Sequence, residues 1–375
     1  MEKWRPGQTH QEAMIKKMDL YIIRKYLGSF FFTMLLITMM AVVIDFSEKI
    51  NRFIDADLGV GQILKEYYLN FIPWINGMMW PLFSLLAVIF FTSRMAKNSE
   101  IVAFLSSGIS FNRLLVPYLI AASLIAGVLW IGKNYFIPHN CKIKNDFENE
   151  HLRKNSKKTL NNDIHFFLSP SEKLYIRYYR KSDTTAQSFR LEHFENNRLK
   201  EVLKAERLKF IDYPNSWSLQ DYTIRSFDGL NESFLVSEGE SLDTTLDLTP
   251  EDFIRNTKLM ENMTTRDLTD YISRERDRGL GDAKSFLIEK HLRDSQPFTI
   301  IILTIIGFAV ASRKVRGGMG LHLAIGIVLG AAFVIISKFA ATFSNNLSLS
   351  PALGAWLPNI IFCFIAFIIV RLANK

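Results

Sequence analysis

The stretch SRKVRGGMGLHLAIGIVLG, from Ser312 to Gly330, breaks a long apolar part of the chain with a short basic and glycine-rich segment. The apolar run FTIIILTIIGFAVA comes immediately before it, and the run LHLAIGIVLGAAFVII begins within it. Glycines allow a sharp reversal of the backbone, and cations are retained on the cytoplasmic side of a membrane. The stretch therefore predicts a tight cytoplasmic turn between two membrane-spanning helices.

Charge-free windows extend this interpretation to the whole chain. The hydrocarbon core of a bilayer is about 30 Å thick and requires roughly 20 apolar residues. A charge at the centre of the bilayer costs about 2.5–3.5 kcal/mol, so membrane spans are nearly free of charged residues. Because the chain contains 45 Lys and Arg and 37 Asp and Glu, long charge-free windows are not expected by chance. The windows that are long enough, or nearly so, are Tyr26–Ile44, Tyr67–Ser93, Leu114–Gly132, Ser295–Ser312, Gly317–Ser337 and Phe339–Val370. The sequence predicts an α-helical membrane protein with six transmembrane helices.

The distribution of Lys and Arg in the short connections predicts the orientation of these spans. Cations are concentrated before the first window, after the second, after the fourth and after the sixth. The connection 344–354 carries no charge, and the three cations of 47–65 are offset by Glu48, Asp55 and Asp57. We therefore expect a multi-pass protein with both termini in the cytoplasm.

The long polar segment between the third and fourth windows is expected on the opposite side of the membrane. Leu174–Tyr179 and Trp217–Ile224 have the β-branched and aromatic composition or the alternation of strands. Leu199–Phe210 fits a helical period almost as well as a strand, so its type stays open. The predicted domains are an N-terminal transmembrane half (1–138), an inserted all-β domain (139–262), and connecting helices with the C-terminal transmembrane half (263–375).

Several other classes of function find no support. Gly127–Lys133 has the glycine and lysine spacing of a phosphate-binding loop, but Asn134 follows where Ser or Thr is needed, and the segment lies in an apolar window. The cations are spread along the chain rather than gathered with aromatic residues, which argues against nucleic acid. Histidine spacing indicates no metal site, and no catalytic residues are assigned. The chain is expected to be a non-enzyme without a cofactor of its own.

Three local features each allow two interpretations. The segment NSEIVAFLSSGIS (Asn98–Ser110) predicts a short cytoplasmic helix at about 98–108, which either rests on lipid headgroups or docks a cytoplasmic protein. The Gly326–Gly330 pair permits close helix packing, either within the chain or between subunits. Lys338, near the external end of its span, either extends to water or binds an anionic ligand or partner.

The chain resembles the LptF/LptG family of lipopolysaccharide export permeases over nearly its whole length. The resemblance rests on the order of several segments around the predicted three-plus-three plan. These segments are YIIRKYLGSFFF, NSEIVAFLSSGIS, EKHLRDSQPF, SRKVRGGMG and LPNIIFCFIAFIIVRL. It implies a β-jellyroll-like periplasmic domain and a location in the bacterial inner membrane.

The resemblance also implies partners and site residues. It implies a permease subunit of an ABC-type exporter, paired with a paralogous permease and powered by a cytoplasmic ATPase dimer that uses the ATP. The exporter would pass lipopolysaccharide to periplasmic bridge proteins. The family's docking helix corresponds to the segment with Glu100, and its apolar face supplies Ile101, Phe104 and Leu105. Because the first and fifth spans flank the family's lateral entrance, Lys338, Lys49 and Arg52 are expected to bind the substrate's phosphates.

Two alternatives share part of this evidence. An exporter subunit for another lipid or polymer would have the same spans and differ only in substrate. A non-transporting membrane scaffold or sensor would need neither a docking helix nor a cation within a span.

Overall fold

The computed structural model describes residues 6–152, 162–169, 171–180, 183–196, 198–212, 215–229, 231–246, 248, 250, 259–277, 284–313, 318–346 and 349–373. Lys314, Arg316 and Gly317 of the predicted basic turn lie outside these residues. The helices before the sheet are α1 (Pro6–Asp55), α2 (Val60–Gln62), α3 (Leu69–Lys97), α4 (Glu100–Ser106), α5 (Phe111–Ile131) and α6 (Ile137–Phe147). π-Helical segments continue these helices at Ile63–Tyr68, Gly132–Phe136 and Glu148–Leu152.

The strands and the later helices follow in sequence. The strands are β1 (Asn162–Ser169), β2 (Glu172–Arg180), β3 (Thr185–Glu195), β4 (Arg198–Asp212), β5 (Ser216–Asp228) and β6 (Asn231–Thr245). The helices after the sheet are α7 (Leu259–Asn262), α8 (Thr265–Asp277), α9 (Lys284–Ala311), α10 (Gly318–Asn346) and α11 (Pro351–Ala373).

Six helices in the described part of the chain are long and apolar enough to cross a membrane. They are Lys17–Asp55, Val60–Lys97, Phe111–Leu152, Lys284–Ala311, Gly318–Asn346 and Pro351–Ala373. Three precede the strands and three follow them, so the predicted three-plus-three plan with an inserted β domain is confirmed.

The chain forms two compact units. The helical unit comprises residues 1–148, 261–265 and 284–375, and the β unit comprises 149–260 and 266–283. The helical unit extends past the predicted boundary at residue 138, because the helix of the third span continues through α6.

The Gly326–Gly330 pair packs inside the chain. A Cβ atom on Gly326 would lie 2.4 Å from Cδ1 of Ile89, and one on Gly330 would lie 3.0 Å from Cδ2 of Leu82. Both neighbours belong to α3, so the two glycines allow α10 to approach α3 closely. Of the two interpretations of this motif, the structure supports packing within the chain.

Buried hydroxyl and amide groups join the spans inside the helical unit. Tyr26 of α1 lies with its hydroxyl 2.6 Å from Ser84 of α3 and 2.8 Å from Thr304 of α9. The amide of Asn359 in α11 donates to the carbonyl of Ser295 in α9 at 2.7 Å. Hydrogen bonds of this kind satisfy polar groups where no water is present, and they fix which faces of the helices meet.

The β unit contains one antiparallel sheet in the order β1-β2-β3-β4-β5-β6. The segment Leu199–Phe210, ambiguous by periodicity, lies within β4 and pairs with β3 and β5. The predicted strands Leu174–Tyr179 and Trp217–Ile224 are confirmed as parts of β2 and β5. Trp217 is fully buried, and its indole nitrogen donates to the carbonyl of Leu248 at 3.0 Å.

Several residues within the long strands have an irregular backbone conformation, and buried side chains lie on both sides of them. In β3, Ala186 and Phe189 are both buried although they are three residues apart, and Ser188 between them has a φ of 54°. Asp221 in β5 and Gly239 in β6 also have positive φ, and the Asp221 carboxylate accepts the Gly239 N–H at 2.9 Å. A residue that leaves the extended conformation interrupts the alternation of faces, so side chains on both sides of it reach the same core.

Candidate functional site

The short helix α4 connects the second and third spans. Ser99 has a left-handed backbone conformation with a φ of 64°, and α4 begins at the next residue, Glu100. Gly108, with a φ of 89°, follows the end of the helix. Left-handed conformations cannot continue a right-handed helix, so these two positions hold α4 as a separate two-turn helix.

The carboxylate of Glu100 accepts two hydrogen bonds from uncharged groups. The hydroxyl of Tyr21 in α1 donates to Oε2 at 3.1 Å, and the amide of Asn98 donates to Oε1 at 3.2 Å. Both bonds are exposed to solvent. Neither donor carries a charge, so these two hydrogen bonds do not form an ion pair with the carboxylate.

The apolar residues of α4 divide between the interior and the surface. Ile101 is only 1% exposed, and Phe104 packs against the same buried cluster. Val102 and Leu105 are 52% and 40% exposed. Of the predicted docking residues, Glu100 and Leu105 are therefore accessible, whereas Ile101 and Phe104 anchor the helix to its own chain.

Val102 belongs to the apolar face expected for this helix but was not among the predicted docking residues, although it is accessible. Val102 and Leu105 are three residues apart, so they share a helix face. The spacing could have predicted that these two residues lie on one face. The sequence of α4 alone does not show whether that face packs on the spans or faces solvent.

Lys49, at the far end of α1 from α4, lies in a compact group of charged and aromatic side chains. Its ammonium group is 2.7 Å from Asp45 and 3.3 Å from Glu148, and it also donates to the hydroxyl of Tyr67. The Tyr67 hydroxyl lies 3.2 Å from Asp45. Lys49 thus has two carboxylates beside it, which compensate its charge.

Arg52 and Lys338 are both exposed, on α1 and α10 respectively. α1 packs against α3 and α5, whereas α10 packs against α3, α9 and α11. No contact among the described side chains joins Lys49, Arg52 and Lys338 to one another.

The first and fifth spans leave most of their apolar side chains uncovered. Only 11% of the span residues in α1 and 22% in α10 are buried, against 61% in the spans that contain α3 and α9. The exposed residues include Phe31, Phe32, Leu35, Met39 and Met40 in α1, and Ile327, Val328, Ile335, Phe339 and Phe343 in α10. These faces are suited to contact with lipid or another membrane protein.

The β unit ends in an apolar edge. β6 is the last strand in the sheet order and pairs with β5 along its length. Phe234, Leu235 and Val236 are consecutive in β6 and all more than half exposed. An exposed edge with apolar side chains is a template for pairing with a strand of another chain.

Comparison with known proteins identifies one family. The family model described as "Lipopolysaccharide export system permease LptF/LptG" matches residues 20–372. A search of the curated proteins found no significant match. The matched range takes in both sets of three spans and the inserted sheet. The chain therefore belongs to the LptF/LptG family of lipopolysaccharide export permeases.

Proposed function

We propose that the chain is a permease subunit of an ABC-type exporter that extracts lipopolysaccharide from the inner membrane and passes it to a periplasmic bridge. The main support for this proposal is the family match over residues 20–372, in a chain with six helices apolar enough to span a membrane. The family consists of transport subunits rather than catalysts, and a separate ATPase would use the ATP. Under this proposal the chain needs no cofactor of its own.

The proposed orientation has both termini and α4 in the cytoplasm and the β unit in the periplasm. Lys and Arg are concentrated in the short connections assigned to the cytoplasm. The contact between Tyr21 and Glu100 supports the assignment, because it brings the basic first part of α1 to the same side as α4.

The proposed ATPase-docking surface consists of Glu100, Val102 and Leu105. The two exposed apolar side chains suit an apolar cleft, and the carboxylate suits an Arg at its edge. A hydrogen bond to a charged group contributes about 1.5–3 kcal/mol, more than an uncharged bond. Ile101 and Phe104 support this surface from inside the chain.

The proposed substrate route lies between the exposed faces of α1 and α10 and those of a paralogous permease. The acyl chains of lipopolysaccharide require an apolar cavity, and its phosphates require cations at the external rim. Arg52 and Lys338 are exposed and suited to direct phosphate contacts. Lys49 is the weaker candidate, because Asp45 and Glu148 already compensate its charge.

The proposed contact with the periplasmic bridge is the edge of β6. A strand of a bridge protein would extend the antiparallel sheet beyond β6, with Phe234, Leu235 and Val236 at the junction. Main-chain hydrogen bonds would provide much of the affinity of such a contact, and the exposed side chains its specificity.

The test is to purify the protein from its native membranes in detergent and to identify the bound lipid and co-purifying proteins together. We expect lipopolysaccharide, an ABC ATPase and a second permease. A different lipid with the same ATPase would support an exporter for another substrate. Neither lipid nor ATPase, from a folded sample, would contradict the proposed function and support a scaffold.

A further inference from the structure

The ion pair between Arg113 and Asp19 joins the start of α5 to α1 beside α4. Nη1 of Arg113 lies 2.9 Å from Oδ1 of Asp19, and Nη2 lies 2.6 Å from Oδ2. The two side chains are 32% and 22% exposed. A guanidinium and a carboxylate that make two parallel bonds fix the orientation of their helices as well as the distance between them.

The same turn of α1 also approaches α4 directly, since the hydroxyl of Tyr21 donates to Glu100. Ile101 of α4 belongs to the same buried apolar cluster as Met18 and Ile22, which lie on either side of Asp19 in sequence. At the other end of the connection, Ser110 accepts the backbone N–H of Arg113 at 3.2 Å and caps α5. The short connection is thus joined to one turn of α1 by the hydrogen bond from Tyr21 to Glu100 and by the ion pair, beside a shared buried cluster.

Elsewhere α1 is held by packing on α3 and α5, by the Tyr26 hydroxyl and by the ion pair of Lys49. Only 11% of its span residues are buried, and its most extensive packing is against α3 and α5. At the end of α1 that contains Asp19, the ion pair joins α1 to α5 and the hydrogen bond from Tyr21 to Glu100 joins it to α4.

We propose that Asp19 and Arg113 are positioning residues that make α1 follow α4, so that motion of the ATPase-docking helix reaches the first span. This inference rests on the proposed function, because it names the span that receives the motion of the ATPase. Tyr21 makes a single exposed bond to Glu100, so an ATPase cation can replace the Tyr21 hydroxyl without loosening the ion pair.

The first test compares lipid exported per ATP hydrolysed in proteoliposomes that contain the whole exporter. Asp19→Asn should keep the ATPase bound, since Glu100, Val102 and Leu105 are unchanged, but lower the export per ATP at least fivefold. The double variant Asp19→Arg/Arg113→Asp should regain at least half of that loss. Glu48→Gln, an exposed carboxylate of the same helix, is the control and should match the unaltered protein. Unchanged export per ATP in Asp19→Asn would overturn the inference while leaving the proposed function intact.

The second test does not depend on transport. In the permease alone, amide hydrogen exchange of residues 99–110 should rise at least threefold in Asp19→Asn and stay unchanged in Glu48→Gln. Equal exchange in Asp19→Asn and the unaltered protein would overturn the inference, whatever the ATPase result. Absence of export in the unaltered exporter, with the exchange difference present, would instead contradict the proposed function alone.

Discussion

An ion pair joins Lys49 of α1 to Glu148, the first residue of the π-helical segment after α6. The distance between Nζ of Lys49 and Oε1 of Glu148 is 3.3 Å. The two side chains are only 15% and 9% exposed. Asp45 lies on the other side of the same ammonium group, at 2.7 Å. Lys49 therefore has a structural role independent of any substrate.

The first prediction concerns the stability that this pair provides. Lys49→Met would remove the cation that lies beside the carboxylates of both Asp45 and Glu148. Removing one member of a buried pair costs about 3–5 kcal/mol, and partial exposure here lowers the expected loss to about 2–3 kcal/mol. Thermal unfolding in detergent measures it.

The control for this prediction is Lys338→Met, because Lys338 is exposed and expected to change stability by less than about 0.5 kcal/mol. Adding Glu148→Gln to Lys49→Met should recover part of the loss, since one of the two carboxylates that faced Lys49 is then neutral. Equal melting temperatures of Lys49→Met and Lys338→Met would show that the pair has no structural role.

The second prediction concerns substrate contact. Arg52→Ala and Lys338→Ala together should lower crosslinking to lipopolysaccharide severalfold, with assembly unchanged, because two exposed cations that face phosphates would be lost. The triple variant also carries Lys49→Ala. Its crosslinking is compared at equal amounts of folded protein, because Lys49 also affects stability. Unchanged crosslinking in the triple variant would contradict the proposed phosphate contacts. It would indicate that the ammonium group of Lys338 only extends to water.

The third prediction concerns the exposed face of α4. Val102→Asp and Leu105→Asp should each lower ATPase co-purification at least tenfold without loss of stability, because both side chains are exposed. Ile101→Ala is the contrasting variant. It removes a buried side chain and should lower stability by about 2–4 kcal/mol. If Leu105→Asp retains the ATPase fully, α4 is not its docking surface.

The spans and most strands could be predicted because they depend on local composition. A charge-free window and an alternating strand carry their signal within about ten or twenty residues. The type of Leu199–Phe210 could not be settled this way, because β4 depends on its pairing with β3 and β5. The partner of Gly326 could not be predicted either, since Ile89 is distant in sequence.

The candidate site was predictable in position but not in orientation. The sequence analysis located α4 and Glu100, yet it did not show that Ile101 faces the interior and Val102 the surface. That division depends on Met18 and Ile22 of α1, which share a buried cluster with Ile101. Likewise, Lys49 looked like an exposed cation because Glu148 approaches it only in the folded chain.

The fourth prediction concerns the close approach of α10 and α11. A Cβ on Gly354 would lie 2.4 Å from Cβ of Ser344 and 3.2 Å from the carbonyl oxygen of Ala340. Because backbone cannot move aside as a flexible side chain can, Gly354→Ala should lower stability by about 1–3 kcal/mol. Thermal unfolding in detergent measures the loss.

Gly127→Ala is the matched control, since a Cβ at Gly127 meets no atom within 4 Å. Alanine is also favoured over glycine in a helix, so this variant should be neutral or slightly stabilising. A Gly354→Ala protein as stable as Gly127→Ala would contradict the close packing of α10 on α11.

The most direct test of the permease assignment measures ATP-dependent release of lipopolysaccharide from proteoliposomes. The vesicles contain this chain, the second permease and the ATPase that co-purify with it, and soluble bridge protein is supplied as the acceptor. The account predicts release that requires ATP and stops when the ATPase is omitted, with no ATP turnover by this chain alone. Robust ATP turnover by the isolated chain, or no release from a fully assembled and ATP-hydrolysing complex, would contradict it.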